Sequence, residues 1–244
     1  MKLKNKIKNI FATDPDYKQM VSSYNKKDTL VAIGLYIFVV FAYLGIGIID
    51  FESSTNFGLG LILAIPVNIF LIIICIRLVK LRRQKPNSIG LTRKNLIKSL
   101  LLGLIAGGTC FSFISIIPAL LAGGKWQLGF GILLFLIFYQ LVIVGFCEEI
   151  IFRGFIQTRL YGLVKSDNLA KILGGVLFAT MHIPYPLFSA GGDNFTEFLA
   201  NDSSRLVVLF VWHFVFNFLY RKYNSLAAPV IFHCIMNLSK EIFK

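Results

Sequence analysis

Residues 129–156 read GFGILLFLIFYQLVIVGFCEEIIFRGFI. As far as Cys147 the stretch has no charged residue, and it exceeds the roughly 20 apolar residues that a helix needs to cross a bilayer. It then sets Glu148, Glu149 and Arg153 inside the same apolar run. A charge at mid-bilayer costs about 2.5–3.5 kcal/mol on insertion scales, so ionisable residues in a span face a protein interior or a watery cavity. Similar runs lie on either side. Residues 29–49, 57–79 and 97–121 are long and apolar, while 170–186, 205–220 and 226–243 are shorter and carry polar residues. The pattern predicts an all-α fold, a polytopic transmembrane helix bundle of about seven spans, or eight if region 187–204 adds a re-entrant piece.

Composition agrees with this reading. Hydrophobic residues make up 56% of the 244 residues and charged residues 15%, against about 45–50% and 25% in soluble domains. Mean hydropathy is +0.73. A soluble domain of this length has too little interior for so much apolar surface, and disordered, fibrous and disulfide-rich secreted classes are excluded with it. The net charge of +13 raises nucleic acid as a partner. The basic residues, however, sit in short segments between apolar runs, with no basic stripe on a polar domain, so no nucleic-acid partner is expected.

The placement of charge gives an orientation. Short cytoplasmic segments of membrane proteins are enriched in Lys and Arg. With the N-terminus inside, 21 of the 25 Lys and Arg fall on inner segments. The expectation is a multi-pass protein of the cell membrane, with a basic cytoplasmic tail over 1–28 and one transmembrane domain over 29–244. Ile7, Ile10 and Phe11 give the tail one weak apolar side. Cys75, Cys110, Cys147 and Cys234 all lie in apolar runs and read as small buried hydrophobes. That includes Cys147, despite its position beside Glu148. Gly103 and Gly107 form a GxxxG pair, which close helix packing or chance explains equally well.

All three histidines, His182, His213 and His233, fall in predicted spans. Glu149 and Arg153 are four apart and share a helix face, whereas Glu148 is turned about 100° away. His233 and Asn237 share a face of the last span, and His213 and Asn217 repeat that spacing. At 1.5 Å per residue, Glu148, His182, His233 and Asn237 lie about 10–18 Å from the inner ends of their spans. Similar depth on three helices predicts one common cavity. His213 is read as a packing or cavity-lining residue. Three His and two Glu make zinc the alternative cofactor, although no HExxH and no pair of histidines at i, i+4 is present.

The ordered set Glu148-Glu149-Ile-Ile-Phe-Arg153, Phe178-Ala-Thr-Met-His182 and His233-Cys-Ile-Met-Asn237 resembles the CPBP family, the CAAX protease and bacteriocin-processing group also called Abi. Gly154, Phe155, Leu226 and Pro229 fit as well, and the resemblance covers about 140–240. It implies an intramembrane endopeptidase that hydrolyses a peptide bond near the cytoplasmic side without a metal cofactor. Glu148 and His182 would activate a water, His233 and Asn237 would stabilise the oxyanion, and Glu149 and Arg153 would support them. The implied partners are a membrane-associated peptide or protein substrate and the lipid bilayer. Family members usually carry small residues where this chain has His213 and Asn217, a departure that bears on substrate more than on chemistry. The competing functions are a non-catalytic immunity or regulatory protein of the same family and a small transporter. No pair of related halves with interrupted spans supports the transporter.

Overall fold

The computed structural model describes residues 11–52, 59–192 and 194–243. The apolar side expected from Ile7 and Ile10 lies outside the described residues. The chain is helical, with α1 (Pro15–Ser22), α2 (Lys26–Glu52), α3 (Leu59–Leu81), α4 (Leu96–Leu121), α5 (Phe130–Leu160), α6 (Asp167–Met181), α7 (Pro184–Ser189), α8 (Phe195–Tyr223) and α9 (Ala227–Leu238). Among the described residues, α2, α3, α4, α5, the α6–α7 pair and α8 are long and apolar enough to cross a membrane, and α9 is a shorter apolar helix. This is the all-α polytopic bundle that the apolar runs predict. Region 187–204 contributes the end of α7 and the first turns of α8 and adds no further span among the described residues.

Polar contacts fix which helix ends lie together. At one end, the Thr29 hydroxyl donates to the Arg159 carbonyl (2.6 Å) and Arg82 pairs with Asp28 (3.0 Å). Arg221 pairs with Asp167 (2.9 Å), and the Ala228 N–H donates to Ser99 (3.0 Å). The starts of α2, α4, α6 and α9 therefore meet the ends of α3, α5 and α8. This basic end also holds Arg83, Lys85, Arg93 and Lys94 in the link between α3 and α4. At the opposite end, Tyr185 donates to Asp50 (2.8 Å) and Ser115 donates to the Ser239 carbonyl (2.9 Å).

Two local features shape the region around the site. The first is in α5, where π-helical turns over Tyr139–Gly145 and Ile150–Gln157 flank the α-helical turn Phe146–Glu149. Such bulges lift carbonyls off the regular ladder and often mark functional positions. Asn68 compensates for one of them: its amide donates to the Ile143 carbonyl (3.1 Å) and accepts from Tyr43 (2.7 Å). The second is the contact of α4 with α9. A Cβ at Gly103 would stand 2.5 Å from the Ala228 carbonyl oxygen, and one at Gly107 would stand 2.7 Å from the Ile235 side chain. The GxxxG pair is thus a packing surface that seats α9 against α4. The four cysteines are free, and the Cys147 thiol donates to the Asn68 carbonyl at 3.5 Å.

Candidate active site

α5 supplies Glu148, Glu149 and Arg153 from adjoining turns. The Glu149 carboxylate and the Arg153 guanidinium are wholly buried, with Nη1 3.2 Å from Oε1. The guanidinium also lies 3.9 Å from the Phe178 ring centroid and 4.4 Å from that of Phe216. A cation desolvated between aromatic faces is stabilised by their quadrupoles. Phe178, the first residue of F-x-x-x-H, thus has a physical reason to be aromatic.

α6 ends at His182, where Ile183 and Pro184 break the helix before α7. A proline cannot continue the hydrogen-bond ladder, so the break is written in the sequence. The His182 Nδ1–H donates to the Phe178 carbonyl (2.8 Å), one of the last-turn acceptors a helix leaves for such partners. This leaves Nε2 facing the cavity, 3.7 Å from Glu148 Oε2.

α9 brings His233 and Asn237. The His233 Nδ1–H donates to Glu149 Oε1 (2.8 Å), and Nε2 faces Glu148 Oε2 at 3.9 Å. Glu149 Oε1 thus meets both Arg153 and His233, a second role that the shared helix face of Glu149 and Arg153 did not reveal. The Asn237 amide donates to Gln140 Oε1 (2.8 Å). Gln140 belongs to the first π-helical turn of α5 and was missed in the sequence reading. Its signal was present: it is a polar residue in the middle of an otherwise apolar run.

These side chains surround a cavity of about 240 Å³ lined by Glu148, His182, His233 and Asn237. Phe178 and Phe216 close it on one side, and Arg205 and Lys240 line it on the other. Arg205 is tied to Asp202 (2.7 Å) and to the His182 carbonyl (3.3 Å). The four residues expected at the site are therefore brought together, with Glu149 and Arg153 directly beneath them.

His213 and Asn217 do not line this cavity. The buried His213 Nε2 is 3.1 Å from Gln157 Oε1, and the Gln157 amide donates to the Ala170 carbonyl (3.2 Å). A Cβ at Gly174 would collide with the Gln157 side chain, so the missing side chain makes room for this link between α5, α6 and α8. The extra bulk of His213 is accommodated away from the site and does not narrow it.

The cavity has a direction. From Glu148 toward the basic end, Phe152, Arg153, Phe155 and Ile156 are buried. In the other direction Lys240, just past the end of α9, is exposed, and along α8 exposure rises from Phe216 to Arg205, whose side chain is 41% exposed. The site is sealed toward the basic end and opens toward the opposite one. The mouth thus lies at the end remote from the basic α3–α4 link.

No curated protein and no solved structure matches the chain. The model of one protein family, type II CAAX prenyl endopeptidase Rce1-like, matches residues 130–239. The matched segment holds every residue of the cavity except Lys240, together with Gln140. It agrees with the CPBP resemblance of the three motifs: residues 130–239 are similar to the type II CAAX prenyl endopeptidase Rce1-like family.

Proposed function

We propose that the protein is an intramembrane endopeptidase in which Glu148 and His182 activate a water and His233 and Asn237 receive the negative charge of the tetrahedral intermediate. The observation that carries this reading is the set of separations around Glu148 Oε2, 3.7 Å to His182 and 3.9 Å to His233. These are too long for direct hydrogen bonds and suit one oxygen atom held between the three groups. Glu148 takes the water's proton as general base while His182 Nε2, with its lone pair directed at the site, orients the water. The attack breaks the carbonyl π bond and places charge on oxygen. The second Asn237 N–H, left over from the bond to Gln140, is available to that oxygen. His233 donates a hydrogen bond from Nδ1–H to Glu149, so it can also donate from Nε2 only as the imidazolium. The proton carried by Glu148 then goes to the leaving amine as the C–N bond breaks.

The reading has no metal. Four bonds of about 2.0–2.1 Å to zinc put neighbouring ligand atoms roughly 3.4 Å apart, closer than Glu148 Oε2 stands to either histidine nitrogen. A chelator is expected to leave cleavage unchanged, and inactivation reversed by added zinc would overturn the metal-free scheme. The function itself is tested by comparing peptides from membranes that carry the wild-type protein or Glu148→Ala, with a prenylated CAAX peptide as one defined probe. New peptide termini that depend on Glu148 are expected. Their absence, with the protein folded in both membranes, favours the non-catalytic immunity or regulatory role.

Gln140 provides a finer check. Losing an oxyanion donor costs about 10²–10³ in turnover, the effect expected of Asn237→Ala. Gln140→Leu removes the acceptor that fixes the amide and is expected to lose part of that factor in kcat, with KM little changed. Gln140→Glu keeps an acceptor oxygen and should recover more of the rate than Gln140→Leu. Equal rates for the two Gln140 variants would show that the contact does not position Asn237.

A further inference from the structure

We infer that the scissile bond reaches the cavity from the non-cytoplasmic face of the membrane, so that the substrate class is a peptide segment displayed on that face. This rests on the endopeptidase reading for its word "substrate" and on two independent observations for its direction. The first is the one-sided cavity. Between Glu148 and the basic end stand Phe152, Arg153, Phe155, Phe178 and Phe216, none more than 5% exposed. In the other direction the lining passes from Met236 and Asn237 on α9 to the exposed Lys240 just beyond it, and to the partly exposed Arg205 on α8.

The second observation is the asymmetry of charge between the helix ends. The α3–α4 link alone carries Arg82, Arg83, Lys85, Arg93 and Lys94. The opposite end has Lys125 as the one Lys or Arg of the α4–α5 link, Arg205 and Lys240 at the mouth, and acids at Asp50, Glu52 and Glu197 on the adjoining helix ends. In short links it is the Lys and Arg bias that sets orientation, and the rich end stays in the cytoplasm. The polar contacts tie this basic end to Asp167 and Arg221, at the ends of α6 and α8 remote from His182 and Arg205. Charge therefore puts the sealed floor inside, and the packing puts the mouth outside.

Entry from that side also suits the lengths of the helices. α9 has 12 residues and α6 has 15, which gives about 18 and 22 Å of helix where a hydrocarbon core is roughly 30 Å thick. Both start at the basic end. They stop short of the other surface, at His182 and just beyond Asn237, and so leave the site recessed beneath the outer face. A substrate strand need not cross the bilayer to reach Glu148. It needs only to descend into the recess beside Arg205 and Lys240.

The test is labelling of single introduced cysteines by a membrane-impermeant maleimide, on intact and on permeabilised cells. The native cysteines lie in the spans, and the wild-type protein serves as the background control. Lys125→Cys and Lys240→Cys should label on intact cells, and Lys85→Cys only after permeabilisation. Labelling of Lys85→Cys on intact cells, with Lys125→Cys and Lys240→Cys protected until permeabilisation, would overturn the inference. Each variant also reports its own folding through its presence in the membrane fraction. The pattern does not depend on turnover. A failure of Glu148-dependent cleavage therefore sinks the endopeptidase reading, and a reversed labelling pattern sinks the direction of entry alone.

Discussion

Glu148→Gln should lower turnover by about 10²–10⁴-fold, the range a positioned general base contributes, while the protein keeps its expression and thermal stability. The two halves of this expectation have different physical origins. The loss of rate follows from chemistry: an amide cannot take a proton from water, although it fills nearly the same volume. The retained stability follows from the surroundings of Glu148. Its side chain is 12% exposed to the cavity and its Oε2 makes no hydrogen bond to the described residues, so the substitution leaves no buried partner unpaired. Glu149→Gln should behave differently. It leaves Arg153 without its countercharge and His233 without the acceptor that sets its Nδ1 proton, so both stability and turnover should fall. Measuring kcat/KM and the melting temperature of both variants separates the roles. Near-normal turnover in Glu148→Gln together with loss of turnover in a folded Glu149→Gln would exchange the two assignments.

How far the sequence foretold this arrangement depends on the kind of signal each residue carried. The spans were legible because the bilayer imposes a length on apolar runs, and six of the seven proposed spans coincide with long helices or a helix pair. The seventh, 226–243, is the short α9, where the run of apolar letters outlasts the helix. The convergence of Glu148, His182, His233 and Asn237 was legible from their cost in lipid and their depth. The second hydrogen bond of Glu149 was not, because pairing across helices is a product of packing that spacing along one helix cannot encode. The π-helical turns of α5 were also hidden. They shift the faces of the helix around Glu148, and no single residue type announces them. The end at which the cavity opens was not legible, for a related reason. Depths counted from the inner ends say how far a residue lies along its helix, but not on which side the neighbouring helices close over it.

Arg153→Ala is the variant expected to damage the fold most. Breaking a buried ion pair by removing one partner typically costs about 3–5 kcal/mol, because the other charge stays behind without compensation. Here Glu149 is 0% exposed and would retain only His233 as a partner. The loss goes beyond charge. The guanidinium fills the space between the Phe178 and Phe216 rings, so alanine also opens a gap at the junction of α5, α6 and α8. Arg153→Lys restores the charge but not the planar group that covers both ring faces, and it should recover part of the lost stability. Arg153→Met tests packing without charge and should stay close to Arg153→Ala if the ion pair dominates. The double variant Glu149→Gln with Arg153→Met removes both charges. Because replacing a buried pair by neutral groups of similar volume is often neutral or better for stability, it should melt above Arg153→Met alone, yet remain inactive because His233 is no longer anchored by a carboxylate. Melting curves in detergent for the four variants, read beside turnover, distinguish the outcomes. If the double variant melted no higher than Arg153→Met, the stabilising part of Arg153 would lie in its contact with the rings and not in the pair with Glu149.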